Sequence, residues 1–332
     1  MPHPLATALR RRTVLGLGAS LAASAAIPAF AQAYPSRPIK FIVPYAAGGG
    51  TDLLIRALQD PLSKSLGQPV IVDNRSGAAG AIGAREVARA APDGYTFLVS
   101  NNGPSIIVPL LQKEAGYDPI KDFTPVTTIA TAPIVLVAHS SVPAADVRKF
   151  IDWARTEPQG VAYASAGVGS IGHLAAEQFA KVTNLKFVHV PYRGQAPTIA
   201  AVLAGESPIG FTSASDALLA HLQAGKIRLL GIGSEQPSAL IPGGIPIGAS
   251  VPGYRADFWQ GILAPAKTPD AIVAKVHDAI VDALKVPEME ARFARMSYSA
   301  THAAPSQFAK SLASEVDVWK TLIRERGIRG ES

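Results

Sequence analysis

The chain has 332 residues, of which 48% are hydrophobic and 17% charged, and this composition excludes a disordered or coiled-coil protein. Its formal net charge is +6, but without Arg10, Arg11 and Arg12 at the extreme N-terminus 28 basic residues face 25 acidic ones. That excess is too small and too dispersed for a nucleic-acid-binding surface. The absence of cysteine excludes disulfides, thiolate catalysis and cysteine-ligated metal sites.

Residues 1–31 have the pattern of a signal peptide. The arginines at 10–12 precede an alanine-rich apolar stretch at 14–27, and Ala29, Phe30 and Ala31 form a small-x-small cleavage motif. Arg11 and Arg12 also resemble a twin-arginine signal. The apolar stretch is shorter than the roughly 20 residues of a membrane span, so we expect export to the periplasm and cleavage near Ala31.

Residues 40–58 form the most informative unit of the mature chain. A β-branched and aromatic run at 39–43 predicts a buried strand, and the three glycines at 48–50 allow the backbone a close approach to a ligand. Thr51 or Asp52 can then cap a helix that runs to residue 66. Because the first N–H groups of a helix attract anions, this unit predicts an anion site.

Short apolar runs alternate with helical patterns through the rest of the chain. We predict strands at 39–43, 70–73, 96–100, 134–138, 161–164, 187–191, 209–212, 228–233 and 261–264. We predict helices at 52–66, 79–90, 105–111, 145–156, 170–183, 196–204, 215–224, 269–284, 288–296 and 305–326. This alternation indicates an α/β fold with mostly parallel sheets flanked by helices.

The order of these elements predicts two lobes. A fresh series of strand–helix units begins near residue 130 and ends near 233, and a Pro/Gly-rich passage at 237–253 follows. The last strand and three helices are too few for a sheet of their own. We therefore expect one lobe from 32–130 plus 251–332, a second from 131–250, two hinge crossings, and a ligand cleft between the lobes.

Four glycine- or hydroxyl-rich loops, at 45–52, 76–83, 165–173 and 192–196, follow predicted strands. The C-terminal ends of parallel strands lie on one edge of a sheet, so these loops are expected to gather there. Their N–H groups, with Thr51, Ser165 and Ser170, suit a carboxylate ligand. Arg193 could bind a second carboxylate with both of its terminal nitrogens.

Other chemistries fit the sequence less well. Residues 167–172 match G-x-G-x-x-G, but the following strand supplies no acid for a dinucleotide ribose, and the loop at 48–52 lacks the lysine of a phosphate-binding P-loop. No histidine or acid cluster predicts a metal site. A periplasmic serine hydrolase remains an alternative, with Ser165 as nucleophile and His173, His189 and Asp216 as candidate triad partners.

Several motifs in order along the mature chain resemble the Bug-type receptors of tripartite tricarboxylate transporters. The motifs are YPSRPI at 34–39, VPYAAGGGTD at 43–52, GQPVIVDNRSGAAG at 67–80, APDGYT at 91–96, YDP at 117–119, DFTPV at 122–126, VPYRG at 190–194 and APAKTP at 264–269. The resemblance implies a two-lobed periplasmic-binding-protein fold of type II, without enzymatic activity, cofactor or metal.

The same resemblance implies a monomer that captures a small carboxylate with loop amides, hydroxyls and bridging waters and delivers it to a membrane permease. The residues that we expect to bind the ligand are Tyr45, Ala47, Gly48, Thr51, Gly80, Asn101, Ser165, Gly167, Ser170, His173, Tyr192, Arg193, Thr212 and Ser213. Many relatives carry an acid and then Asp-Asn after the strand at 209, where this chain has SPIGFTS at 207–213. An amino-acid ammonium would lack that acid, so we expect an aliphatic or aromatic dicarboxylate.

Overall fold

The computed structural model describes residues 34–330, and the predicted signal peptide lies outside this range. The strands are β1 (Ile39–Val43), β2 (Val70–Asn74), β3 (Thr96–Asn101), β4 (Phe123–His139), β5 (Val161–Ser165), β6 (Phe187–Pro191), β7 (Ile209–Ser213), β8 (Ile227–Ile232), β9 (Asp257–Pro265) and β10 (Ser299–Ala300). The α-helices are α1 (Gly50–Leu66), α2 (Ala81–Ala88), α3 (Val108–Leu111), α4 (Val147–Ala154), α5 (Ile171–Thr183), α6 (Gln195–Leu203), α7 (Asp216–Gln223), α8 (Asp270–Leu284), α9 (Pro287–Ala294) and α10 (Pro305–Arg326). A π-helix, Gly103–Ile107, leads into α3. Within this part of the chain no helix is long and apolar enough to cross a membrane.

The strands form one mixed sheet in the order β2-β1-β3-β9-β4-β7-β5-β6, with β8 and β10 also paired to β4. Parallel pairing holds among β1, β2 and β3 and among β5, β6 and β7. The middle strands β4 and β9 run antiparallel to their neighbours, so the expectation of mostly parallel sheets is corrected to two parallel groups joined by an antiparallel centre. The α/β architecture with flanking helices is confirmed.

The 17-residue strand β4 joins two parts of the sheet. Its residues from Phe123 to Pro133 pair with β9, and those from Ile134 to Ala138 pair with β7. We call the part with β1, β2, β3, β9 and β10 the first half-sheet and the part with β5, β6, β7 and β8 the second half-sheet. The division into two lobes with hinge crossings stays a prediction, and these half-sheets contain the strands that it assigns to each lobe.

The first eleven residues of β4 were not predicted as strand. Two register shifts, between Pro125 and Thr127 and between Thr128 and Ala130, interrupt the alternation of inward and outward side chains. Bulges of this kind remove the period-two pattern by which a strand is recognised in a sequence. Pro125 and Pro133 also weaken a strand prediction because proline cannot donate to a ladder.

Helices cover the sheet and bury separate apolar cores. In the second half-sheet, Phe150 of α4 and Phe179 of α5 pack with Tyr163, Phe187 and Phe211. The opposite face carries a second cluster of branched side chains beneath α6 and α7, which includes Val135, Val137, Ile199, Val202 and Leu218. In the first half-sheet, Leu98, Trp259 and Leu263 pack against Phe308 and Trp319 of α10.

The pairing makes the two parallel groups point toward each other. Strands β3 and β4 share one direction because both are antiparallel to β9, whereas β7 runs opposite to β4. The end of β3, Asn101, lies level with Ala130 of β4 through Gln260, and the end of β7, Ser213, lies beside Ile134. The loops that follow the two parallel groups therefore face each other near residues 130–134.

Candidate functional site

The first glycine loop is exposed at residues 46–50, and hydrogen bonds to the buried carboxylate of Asp52 fix it. One carboxylate oxygen of Asp52 accepts the Gly48 N–H at 2.8 Å, the other accepts Asn74 Nδ2 at 3.0 Å, and Arg56 Nε lies 2.9 Å from both. Burial alone would raise the pKa of Asp52, but the hydrogen bonds from Arg56, Gly48 and Asn74 outweigh it and lower that pKa. Asp52 is therefore a paired anion that fixes the loop.

The start of α1 offers hydrogen-bond donors beside this loop. The first helical bond runs from Leu53 N–H to Gly49 O, so the N–H groups of Gly50, Thr51 and Asp52 precede the helical pattern. Gly48 has a φ of 83°, a left-handed conformation that favours glycine. Because its N–H is already donated to Asp52, the donors for a ligand here are those of the first helical turn rather than Gly48 itself.

Thr51 connects this loop to two residues that the sequence did not reveal. Thr51 Oγ1 donates to Gln260 Oε1 at 3.0 Å, and Gln260 Nε2 donates to Tyr298 Oη at 3.3 Å. Gln260 is a buried polar residue in β9. In the sequence, only its place within an apolar run could have indicated that it belongs to the site. Tyr298 lies just after α9, where no pattern indicated a function, and its hydroxyl lies 3.0 Å from where a Cβ on Gly50 would be.

Asn101 presents an amide nitrogen at the end of β3. Its Oδ1 accepts Tyr45 Oη at 3.0 Å and the Gly103 N–H at 3.0 Å. A backbone N–H can only donate, which fixes the orientation of the side-chain amide. Among the described residues Asn101 Nδ2 has no hydrogen-bond partner, so it is available to a ligand oxygen.

Gly80 brings the second loop against the first and third. Its N–H donates to Gly77 O at 2.9 Å, and its φ is 94°. A Cβ at this position would lie 2.4 Å from Pro104 Cγ and 3.3 Å from Pro44 Cβ. The geometry gives Gly80 a packing role, because a larger residue would separate the loops that follow β1, β2 and β3.

Ser165 lies fully buried at the end of β5, within a network of its own loop. Its Oγ is 2.7 Å from His189 Nε2, 3.2 Å from Gly167 O and 3.3 Å from Gly167 N. The same loop begins α5, where Ser170 Oγ accepts the His173 N–H at 3.2 Å as the helix cap. The first helical bond runs from Leu174 N–H to Ser170 O, which leaves Ile171 and Gly172 as N–H donors at this helix start.

The geometry does not assemble the catalytic triad considered above. Asp216 accepts a hydrogen bond from Ser297 Oγ at 2.7 Å rather than from either histidine. Ser165 has no exposed surface from which to attack a substrate. In the described part of the chain no cluster of histidine and acid residues could hold a metal ion.

The remaining predicted residues follow β6 and β7. The Tyr192 N–H donates to Ser165 O at 2.9 Å, and Tyr192 Oη lies 3.4 Å from Glu206 Oε2. Arg193 is exposed and makes no ion pair or hydrogen bond within residues 34–330. Ser213 is already engaged, because Gln195 Nε2 donates to its carbonyl at 2.6 Å and to its Oγ at 3.0 Å.

The loops that follow the strands of the second half-sheet also lie close to one another and to the first half-sheet. Thr212 is buried at the end of β7, and a Cβ on Gly172 would lie 2.3 Å from Phe211 O, so α5 starts directly on this strand. A Cβ on Gly169 would lie 2.7 Å from Leu111 Cδ1 of α3. Two cavities, of 520 and 310 Å³, are lined by none of the predicted site residues, although the smaller one adjoins Thr131, Ala132 and Pro133 of β4, where the two loop groups face each other.

Comparison with known proteins identifies the family. A family model described as the tripartite tricarboxylate transporter family receptor, TctC, matches residues 54–328. The chain belongs to this receptor family. BugT of Bordetella pertussis strain Tohama I is 33% identical over 323 residues, which cover 96% of this receptor and 98% of BugT. The family consists of substrate-binding receptors, which confirms the predictions of a Bug-type receptor and of a protein that is not an enzyme.

Solved structures of similar proteins confirm the periplasmic-binding-protein fold. A ligand-free TctC solute-binding protein from Polaromonas has a TM-score of 0.80 at 29% identity, and the match covers 88% of this receptor and 99% of that chain. Rpa4515 of R. palustris with adipate has a TM-score of 0.72 at 31% identity, over 89% and 99%. MatC from Rhodopseudomonas palustris with bound malate has a TM-score of 0.69 at 28% identity, over 87% and 100%.

Proposed function

We propose that this receptor captures a small dicarboxylate in the periplasm, between the facing loops of the two half-sheets, and delivers it to the permease of a tripartite tricarboxylate transporter. Family membership supports the receptor role and the periplasmic location. Adipate and malate in two similar structures support a carboxylate ligand. Residues 1–31 would direct export and be cleaved near Ala31.

The observation that carries the proposal is the set of donors on the two facing edges. The first turn of α1, the first turn of α5 and the amide nitrogen of Asn101 all supply N–H groups at the ends of parallel strands. Each hydrogen bond to a charged acceptor is worth about 1.5–3 kcal/mol, so several of them suffice for micromolar binding of a carboxylate. Arg193, exposed and without an acidic partner in the described chain, is suited to the second carboxylate.

The acids near the site favour a dicarboxylate over an amino acid. Asp52 is paired with Arg56, Asp216 accepts from Ser297, and Glu206 lies against the Tyr192 hydroxyl. An ammonium group would need a carboxylate that faces the ligand, and the predicted ligand-binding residues include none. They offer hydrogen-bond donors and the positive charge of Arg193 instead.

Isothermal titration calorimetry of the mature receptor with adipate, malate, glutamate and aspartate tests the proposal. We expect micromolar binding of at least one dicarboxylate and no measurable binding of its amino analogue. Tighter binding of glutamate or aspartate would overturn the choice of ligand class, and turnover of an ester by the purified protein would overturn the receptor role.

The Arg193→Gln variant tests the second carboxylate contact. Loss of one charge-assisted contact should weaken dicarboxylate binding about 10- to 100-fold. Arg148→Gln is the matched control, because Arg148 is an exposed arginine on α4 that lies away from the facing loops. Equal affinities for the Arg193 and Arg148 variants would contradict this assignment.

A further inference from the structure

We propose that His173 and His189 are positioning residues, a neutral stacked pair of imidazoles that holds the loop from Ser165 to Ser170 in its ligand-binding conformation. The inference rests on the proposed function for its binding readout, but it concerns how the loop is held rather than which ligand enters. Neither histidine needs to touch the ligand.

The two imidazoles lie face to face. Their ring centroids are 4.0 Å apart and their planes differ by 5°. The ring of Tyr163 continues the stack at 4.8 Å from His189, with an angle of 18°. His173 is 5% exposed and His189 is partly buried. Two imidazolium cations at this separation would repel each other strongly away from water, so the stacked arrangement requires that at least one ring, and at best both, stays neutral.

Each ring uses a nitrogen to hold the loop. The Gly169 N–H donates to His173 Nδ1 at 3.0 Å, and because a backbone N–H cannot accept, this bond requires a lone pair on Nδ1. His189 Nε2 lies 2.7 Å from Ser165 Oγ, which in turn contacts Gly167. The pair therefore fixes the loop at both of its ends, and a proton on His173 Nδ1 would break one of these bonds.

The charged groups nearest the two histidines, Glu177 and Arg326, neutralise each other. Glu177 of α5 accepts Tyr163 Oη at 2.8 Å and Arg326 Nε of α10 at 2.6 Å. Burial lowers the pKa of His173 to about 3, with a smaller contribution from His189, and burial also lowers the pKa of His189 against the opposing effect of Glu177. Both rings are then neutral at the pH at which a periplasmic receptor works.

The expected pH dependence follows from these directions. An unfolded histidine has a pKa of about 6.5, so below that pH the unfolded chain binds more protons than the native one. The contribution of the pair is complete above pH ~6.5 and is lost progressively as the pH falls toward the native value. Acidification below pH ~6.5 should therefore lower the free energy of unfolding, even while the folded pair is still neutral.

The test compares variants that remove or retain the nitrogen acceptor. His173→Leu removes it at similar volume, whereas His173→Asn places Oδ1 near the former Nδ1 and cannot become a cation. In ligand-free protein, NMR-detected exchange of the Gly169 amide should accelerate about fivefold or more in the leucine variant and stay near the wild-type rate in the asparagine variant. His221→Leu is the control for a histidine-to-leucine change, because His221 lies on α7, which packs on the same half-sheet.

Binding of adipate and malate supplies the second readout. Affinity should fall about fivefold in His173→Leu and be largely retained in His173→Asn. An unchanged Gly169 amide in His173→Leu would overturn the positioning role. A wild-type protein that binds neither acid, with the Gly169 effect intact, would instead refute the proposed function and leave the positioning role standing.

Discussion

Asn101 allows the carboxylate proposal to be tested by the exchange of one atom. In Asn101→Asp the retained oxygen can still accept from Tyr45 Oη and the Gly103 N–H, each at 3.0 Å in the native protein. The amide nitrogen without a partner becomes a carboxylate oxygen. The substitution therefore keeps the local support of the loop and reverses the electrostatics of the surface that would meet a ligand.

The expected loss has two parts. A hydrogen bond to a charged acceptor contributes about 1.5–3 kcal/mol. Two like charges about 4 Å apart add roughly 4 kcal/mol of repulsion at an effective dielectric constant near 20. The sum, about 5.5–7 kcal/mol, predicts at least a 10³-fold weaker affinity for a dicarboxylate. A micromolar ligand would then give no measurable heat in calorimetry.

Asn184→Asp is the matched control for this experiment. Asn184 is exposed, and it ends α5 in a left-handed conformation, with a φ of 53°, that aspartate also adopts. It introduces the same charge at the far end of the helix and should leave affinity within about twofold of the wild type. Binding by Asn101→Asp within tenfold of the wild type, at an unchanged melting temperature, would refute the reasoning about Asn101. An equal loss in both variants would refute it as well.

Two predictions concern stability. Asp52→Asn removes the anion that fixes the glycine loop and should lower the free energy of unfolding by about 1–3 kcal/mol. Because the native pKa of Asp52 is lowered, the contribution of its carboxylate is present above pH ~3.9 and is lost below it. In denaturant unfolding, the stability of the variant should therefore decline less than that of the wild type below pH ~4. Glu177→Gln weakens the contact with Arg326 between α5 and α10 and should lower stability by about 1–3 kcal/mol, against no more than ~0.5 kcal/mol for Asp282→Asn, which disrupts an exposed ion pair with Lys285. The estimates would be contradicted if Asp52→Asn melted at the wild-type temperature, or if Glu177→Gln and Asp282→Asn melted at the same temperature.

Local signals explain why the elements were predictable. The strand at Ile39–Val43 and the one at Phe187–Pro191 have the predicted bounds, since each is a short apolar run between turn residues. Ser170 and Ser215 cap α5 and α7 with their hydroxyls, and serine at such a position predicts a helix start from the sequence. In these segments the residues that decide the conformation are neighbours in the chain.

The arrangement of the site depends on contacts between distant segments, and the sequence could not supply them. Thr51 and Gln260 are 209 residues apart, and their bond requires β9 to return beside β3. The facing of the two loop groups follows from the antiparallel pairing of β4, whose bulges conceal it from a pattern search. Asn101 could be named because it follows the predicted strand at 96–100, but its free nitrogen is apparent only once Gly103 and Tyr45 are seen on its oxygen.

Helix α10 links the supports of the two loop groups. Near its middle, Glu315 accepts from Trp259 Nε1 at 2.7 Å and from the amide of Asn102, the residue that follows Asn101. At its end, Arg326 donates to Glu177, which holds the Tyr163 hydroxyl beneath the stacked histidines. Glu325 of α10 also pairs with Lys181 of α5 at 2.5 Å. A helix with polar contacts on both sides resists separation of the half-sheets, and a ligand that bridges the same two edges would add to that resistance. Movement of the half-sheets would have to break the Arg326 contact or carry α10 along, so we predict that the contacts at the end of α10 oppose any hinge opening of the receptor.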